Sequence, residues 1–192
     1  MDLNAQDDKK KHVRAKKMML LFSMLSIAMT FAGLTSAYIV SKSRPDWITD
    51  FKLPSAFFVS TIVIIMCSAS IVMAKKNVNK NNTIATSIWL GITFLLSVVF
   101  VISQFSGFDD LISKGYFFTG PQSTVTTSFL YVLAVLHLAH LFAGMIVLLV
   151  VFYNNHKNKY KIDKLGFELA VNFWHFLGFL WLYLFVFLYF FR

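Results

Sequence analysis

The chain has 192 residues, 57% hydrophobic, 17% aromatic and only 14% charged, with a formal net charge of +9. A water-soluble domain of this length could not cover so much apolar surface. The excess charge does not mark a nucleic-acid binder either, because the cations abut long apolar runs, where membrane insertion explains them.

Residues 1–17 are polar and basic, too few for a core, and read as a flexible or surface-lying arm. The first apolar run, Met18–Val40, exceeds the roughly 20 residues a helix needs to cross a ~30 Å hydrocarbon core. Its length and the long polar leader argue against a cleaved signal peptide. Ala28, Ala32 and Ser36 recur every fourth residue, with Gly33 and Ala37 beside them. Small residues at this spacing let a neighbouring backbone approach closely, although alanine is also simply common. Pro45 then disfavours helix, and Trp47 suits the headgroup level.

A second run, Leu53–Ala74, contains the lone cysteine, Cys67, so neither an intrachain disulfide nor a cysteine-rich metal cluster is available. Lys75–Asn82 reads as a polar hairpin before a third run, Thr83–Phe105, which Gln104 nearly ends. Gly107, Gly115, Gly120 and Pro121 predict repeated turns in the connection Ser106–Thr124. The fourth run, Val125–Phe152, carries His137 and His140. A basic, asparagine-rich connection, Asn154–Lys164, leads to the fifth run, Leu169–Phe191, which is aromatic on every side and so suits contact with lipid or a large partner. The runs are continuous and lack a period of two, which excludes a β-barrel. The expected fold is all-α: one five-span membrane bundle over residues 18–192, preceded by the arm.

Charge predicts the orientation. Lys9, Lys10, Lys11, Arg14, Lys16, Lys17, Lys75, Lys76, Lys80, Lys157, Lys159, Lys161 and Lys164 fall on one side. Only Lys42, Arg44, Lys52, Lys114 and Arg192 fall on the other. Cytoplasmic loops carry the excess, so the N-terminus reads as cytoplasmic and the C-terminus as periplasmic.

Polar groups inside a membrane are costly and point to sites. His137 and His140 share a face at i, i+3; Glu168, Asn172 and His175 share another at i, i+4, i+7. Two readings follow. His137 and His175, on antiparallel helices, could ligate a b-type haem. Alternatively the histidines, Glu168 and Asn172 satisfy one another in a hydrogen-bonded cluster. Glu168 is the sole acid near a span interior, too few for a self-contained proton pump, and the chain holds no nucleophile–base pair or phosphate loop.

Residues Gly166-Phe167-Glu168-Leu169-Ala170-Val171-Asn172-Phe173-Trp174-His175-Phe176, followed by Trp181-Leu182-Tyr183-Leu184-Phe185, resemble the last helix of subunit III of haem–copper oxidases. Ser128-Phe129 through His137, His140 and Gly144 looks like the preceding helix of that family. Gln104-Phe105…Leu111…Gly115 resembles its entry to the outer loop, and Leu25–Tyr38 its first shared span. The likeness covers all five spans, with the Trp-His-Phe segment and its upstream Glu the most specific part. Many members have seven spans; this chain resembles the five-span bacterial form that lacks the first two. Where members often carry a Glu after the serine of the first shared span, this chain has Ile27 after Ser26. Gly178 stands for an aspartate, and Leu138 for a glycine.

The resemblance implies an accessory subunit in a bacterial cytoplasmic membrane. Such a subunit has no redox centre of its own, binds structural phospholipid, and packs beside catalytic subunit I and subunit II, which hold the haem and copper. It also admits a respiratory supercomplex. A related accessory protein of nitric oxide reductase and a haem-b membrane anchor are the alternatives. The expected site is a polar seam between spans four and five formed by His137, His140, Glu168, Asn172, Trp174 and His175, structural or lipid-binding rather than catalytic or metal-binding. Ala28, Ala32, Gly33, Ser36 and Ala37 are expected to pack a helix.

Overall fold

A computed structural model describes residues 3–45, 47, 53–120, 123–161 and 163–191. The expected cations Lys52 and Arg192 and the turn residue Pro121 lie outside the described residues. The described residues form five α-helices: α1 Leu3–Val40, α2 Ser55–Asn79, α3 Thr83–Ser113, α4 Val125–His156 and α5 Leu165–Phe190, with short 3-10 turns at Ser41–Ser43 and Lys159–Lys161. All five are long and apolar enough to cross a membrane, and there is no strand among the described residues.

The helices start and stop for local reasons. Asn82 accepts a hydrogen bond from the Ala85 N–H at 3.1 Å to open α3, and Thr124 with Thr127 forms a reciprocal capping box at α4. The Asp163 carboxylate accepts from the Leu165 N–H at 2.9 Å, opening α5. The tight connections reverse at Asn81 (φ 55°) and Asn158 (φ 56°), a left-handed conformation that asparagine tolerates better than most residues. Beside the second reversal, burial pushes the Tyr160 phenol above its ordinary value; Asn154 hydrogen-bonds it and opposes that rise, while Asp163 adds to it.

Several helix ends depart from the sequence expectation; α2 runs past Ala74 to Asn79, into the expected hairpin, and α5 begins at Leu165 rather than Leu169. Residues from Leu3 onward continue into α1 as one helix of 38 residues, rather than a flexible or surface-lying arm. At about 1.5 Å per residue it is roughly 57 Å long, so a basic helical stub stands beyond the hydrocarbon. Helix α3 runs eight residues past Phe105 to Ser113, through Gly107, because an isolated glycine costs a helix only about 1 kcal/mol. That glycine is used: a Cβ there would stand 2.8 Å from the Phe57 ring. Helix α4 likewise continues to His156.

Helices α2 and α3 form an intimate hairpin seamed by small hydroxyls. Thr93 donates to Ser70 at 3.0 Å, Ser70 to the Trp89 carbonyl at 3.0 Å, and Gln104 to Ser60 at 2.7 Å. Helix α4 joins α3 at one end through buried Asn155, whose amide donates to the Thr83 carbonyl and the Ser87 hydroxyl, both at 2.9 Å. At the other end Tyr131 packs on Phe108 and donates to the Tyr116 carbonyl at 3.0 Å. Helix α5 packs against α2 and α4, and α1 lies against α4 and α5.

The aromatic α5 is thus a shared wall of the bundle: Trp174, Leu177, Trp181 and Leu184 are all buried, while Phe179 and Phe190 stay exposed. Gly144 of α4 makes this possible, since a Cβ there would lie 2.8 Å from Leu177 and 3.2 Å from the Trp174 ring. On α1 the buried residues are Phe31, Thr35 and Tyr38. Ala32, Gly33, Ser36 and Ala37 face away from the bundle and Ala28 is half-buried. The expected small-residue packing therefore does not occur within the chain; large side chains hold α1 instead. Gly144→Leu should overpack the α4–α5 contact and lower unfolding free energy by about 1–3 kcal/mol. Gly33→Leu, with nothing within 4 Å, should leave it unchanged. Denaturant unfolding of the detergent-solubilised chain measures both.

Candidate functional site

Four helices meet at Trp181. Its indole N–H donates to the Thr61 hydroxyl of α2 at 3.1 Å. Its ring lies 5.9 Å from Phe57 of α2, 5.1 Å from Phe100 of α3 and 5.3 Å from His137 of α4. Aromatic pairs at these separations add stabilisation beyond the area they bury. Trp181 itself is only 1% exposed. Next to it, Gly178 admits Ser68, whose hydroxyl oxygen would be 3.2 Å from an added Cβ.

His137 sits in this junction, wholly buried, between Trp181 and Phe100. Among the described residues neither of its ring nitrogens has a hydrogen-bond partner, nor do Trp174 Nε1 and Gln104 Oε1. His140 faces α1: its ring lies 5.8 Å from Phe31, and Nδ1–H donates to the Leu136 carbonyl at 2.8 Å. His175 is half-buried on the α2 side of α5, within electrostatic reach of Lys75. The three histidines therefore face three different neighbours.

Glu168 and Asn172 are exposed. Neither makes a hydrogen bond or ion pair among the described residues. Of the six expected seam residues, only His137 and Trp174 lie in the α4–α5 interior, and they do not bond to each other. The mutually satisfied cluster is not formed. Glu168, Asn172 and His175 do share a stripe, as their spacing requires, but the stripe faces outward. The reason is steric: α5 turns its larger apolar surface, with Trp174 and Trp181, inward.

The bonds that do tie helices together were not singled out by sequence reasoning, apart from Gln104. Ser60, Ser70, Thr93 and Thr61 look like ordinary span hydroxyls that bond their own helix. Their only signal is that hydroxyls on both α2 and α3 fall at matching depths across a short hairpin. Among the described residues no group of three His, Cys, Asp or Glu side chains comes together as a metal site.

This arrangement defines a class: a multi-pass helical membrane protein whose interior polar groups join helices. The family profile described as cytochrome c oxidase subunit III matches residues 11–192, and the chain belongs to that family. It is 29% identical over 173 residues to the cytochrome bo(3) ubiquinol oxidase subunit 3 of Buchnera aphidicola subsp. Schizaphis graminum, covering 86% of this chain and 88% of that one. It is 25% identical over 170 residues to cytochrome c oxidase subunit 3 of Corynebacterium diphtheriae, covering 84% and 81%. It is 27% identical over 190 residues to cytochrome c oxidase subunit 3 of Thermostichus vulcanus, covering 96% and 92%. The protein is therefore a subunit III of the haem–copper oxidase type, and a part of a larger complex.

A buried polar group without a partner costs about 1–3 kcal/mol. His137→Leu, of similar bulk, should therefore leave the unfolding free energy of the chain unchanged or raise it by about 1 kcal/mol. A loss above about 2 kcal/mol would show that the imidazole has a partner.

Proposed function

We propose that this chain is a non-catalytic subunit of a respiratory terminal oxidase in a bacterial cytoplasmic membrane. It carries no electrons itself and holds the catalytic subunit in its active form. The observation that carries this reading is how the interior side chains are used. Hydroxyls, amides and indoles join α2 to α3, α3 to α4 and α2 to α5, and the histidines point apart.

Orientation follows the charge asymmetry, with the stub of α1 and the α2–α3 and α4–α5 connections in the cytoplasm. A structural phospholipid would sit beside the stub. An apolar groove between α1 and the α4–α5 pair is lined by Leu20, Ala143, Val147, Leu169 and Phe173, a surface chemistry that suits an acyl chain. Lys10, Arg14 and Lys17 of the stub form an i, i+4, i+7 stripe near its cytoplasmic end, where a headgroup phosphate would gain charge-assisted bonds. Haem and copper belong, on this reading, to subunits I and II.

Two measurements test it. The isolated chain, purified in mild detergent, should show no Soret band; a b-type spectrum would make it a haem anchor. The oxidase purified without this chain should begin turnover at a normal rate and then inactivate faster than the complete complex. An identical lifetime would remove the accessory role.

A further inference from the structure

The outward stripe of α5 bears on how the subunit docks, and it rests on the oxidase-subunit reading above. Helix α5 has 26 residues, about 39 Å, against a hydrocarbon core of ~30 Å. Centred in the bilayer, it places Glu168 near the membrane surface, Asn172 about 6 Å inside and His175 about 10 Å inside. Water solvates Glu168 at that level. Acyl chains offer Asn172 and His175 nothing, and polar groups left unpaired in hydrocarbon are costly. Gln104 of α3 and His137 of α4, toward the opposite face of the membrane, are turned inward and buried, and half-buried His140 of α4 bonds the carbonyl of its own helix at Leu136. This stripe is turned out, yet flanked on α2 by Lys75.

The same face continues along α5 through Phe179 (71% exposed), Val186 (49%) and Phe190 (73%). It forms an unbroken helical surface, polar in one half and bulky in the other.

The geometry points to this face of α5 as the surface against which a transmembrane helix of the catalytic subunit packs. That partner helix brings hydrogen-bond donors to Asn172 and a cation to the Glu168 carboxylate, which has no ion pair among the described residues. A protein helix is favoured over a lipid because the unmet groups extend below the headgroup level, where only another polypeptide supplies donors. Charge complementarity sets its sign: Glu168 is an exposed acid on a face whose apolar half suits a helix.

Crosslinking in the intact oxidase complex tests this directly. In a Cys67→Ala background, Asn172→Cys is labelled with a photoreactive maleimide–benzophenone. On irradiation it should couple to the catalytic subunit, identified by immunoblot. Ile88→Cys, exposed on α3 near the same end of the bundle, should couple at least tenfold less. Equal yields, or none from Asn172→Cys while the complex remains assembled, would overturn the proposal and leave the accessory role standing. Failure of the unaltered chain to co-purify with the catalytic subunit would overturn both.

Glu168→Gln/Asn172→Leu/His175→Leu should lower co-purification with the catalytic subunit at least tenfold, with helical content and monodispersity of the free chain unchanged. Unchanged co-purification, with a phospholipid lost instead, would assign the stripe to a headgroup and refute the helix contact. Should the triple variant not fold, the crosslink decides.

Discussion

Lipid tails are as apolar as leucine, so burying apolar side chains between helices gains nothing from expelling water; close packing and hydrogen bonds must hold a membrane bundle together. In this chain that constraint is met at Trp181. One indole touches side chains of α2, α3 and α4 and donates to Thr61. The glycines support it. Gly144 lets α4 close on Trp174 and Leu177, and Gly107 lets α3 close on Phe57, which itself packs on Trp181. Remove the indole and three helix contacts lose a common surface.

From that junction the division of labour among the faces follows. Interior polarity is spent on fastening α2, α3, α4 and α5. Helix α1 is attached more lightly, through Tyr38 against Phe187 and Phe129 and a 2.8 Å hydrogen bond between Thr35 and Tyr183. What remains unfastened lies on the outside: the small residues of α1, the basic stub, and the Glu168–Asn172–His175 stripe. A subunit that supports a neighbour needs such unfinished outer surface, because its own stability cannot depend on the partner's arrival.

The spans were legible in the amino-acid sequence because the bilayer demands long apolar runs, and five such runs are plain. The family was legible too, since Gly166–Phe176 keeps a specific order of residues. Helix ends were not. Polar residues such as Lys9–Lys17 or Ser106–Ser113 read as loop under a hydropathy criterion, yet they hold no proline, and the single glycine, Gly107, costs a helix only about 1 kcal/mol. The expected polar seam failed for a related reason. The spacing of Glu168, Asn172 and His175 shows that they share a face, but not which way that face points. Helix α5 is rotated by its largest side chains, and Trp174 and Trp181 outweigh three polar residues. The small stripe of α1 shows the same limit: its periodicity holds, while within this chain Phe31, Thr35 and Tyr38 on the other side take the interior.

The claim that a single indole fastens the bundle is best tested by a double-mutant cycle between Trp181→Phe and Thr61→Val, read from reversible unfolding of the chain in detergent or bicelles. The structure predicts that the two effects are non-additive by about 0.6 kcal/mol, the usual scale for an interhelical hydrogen bond in a membrane, with each single change destabilising. Additive effects would show that the Trp181–Thr61 bond does not hold α5 to α2.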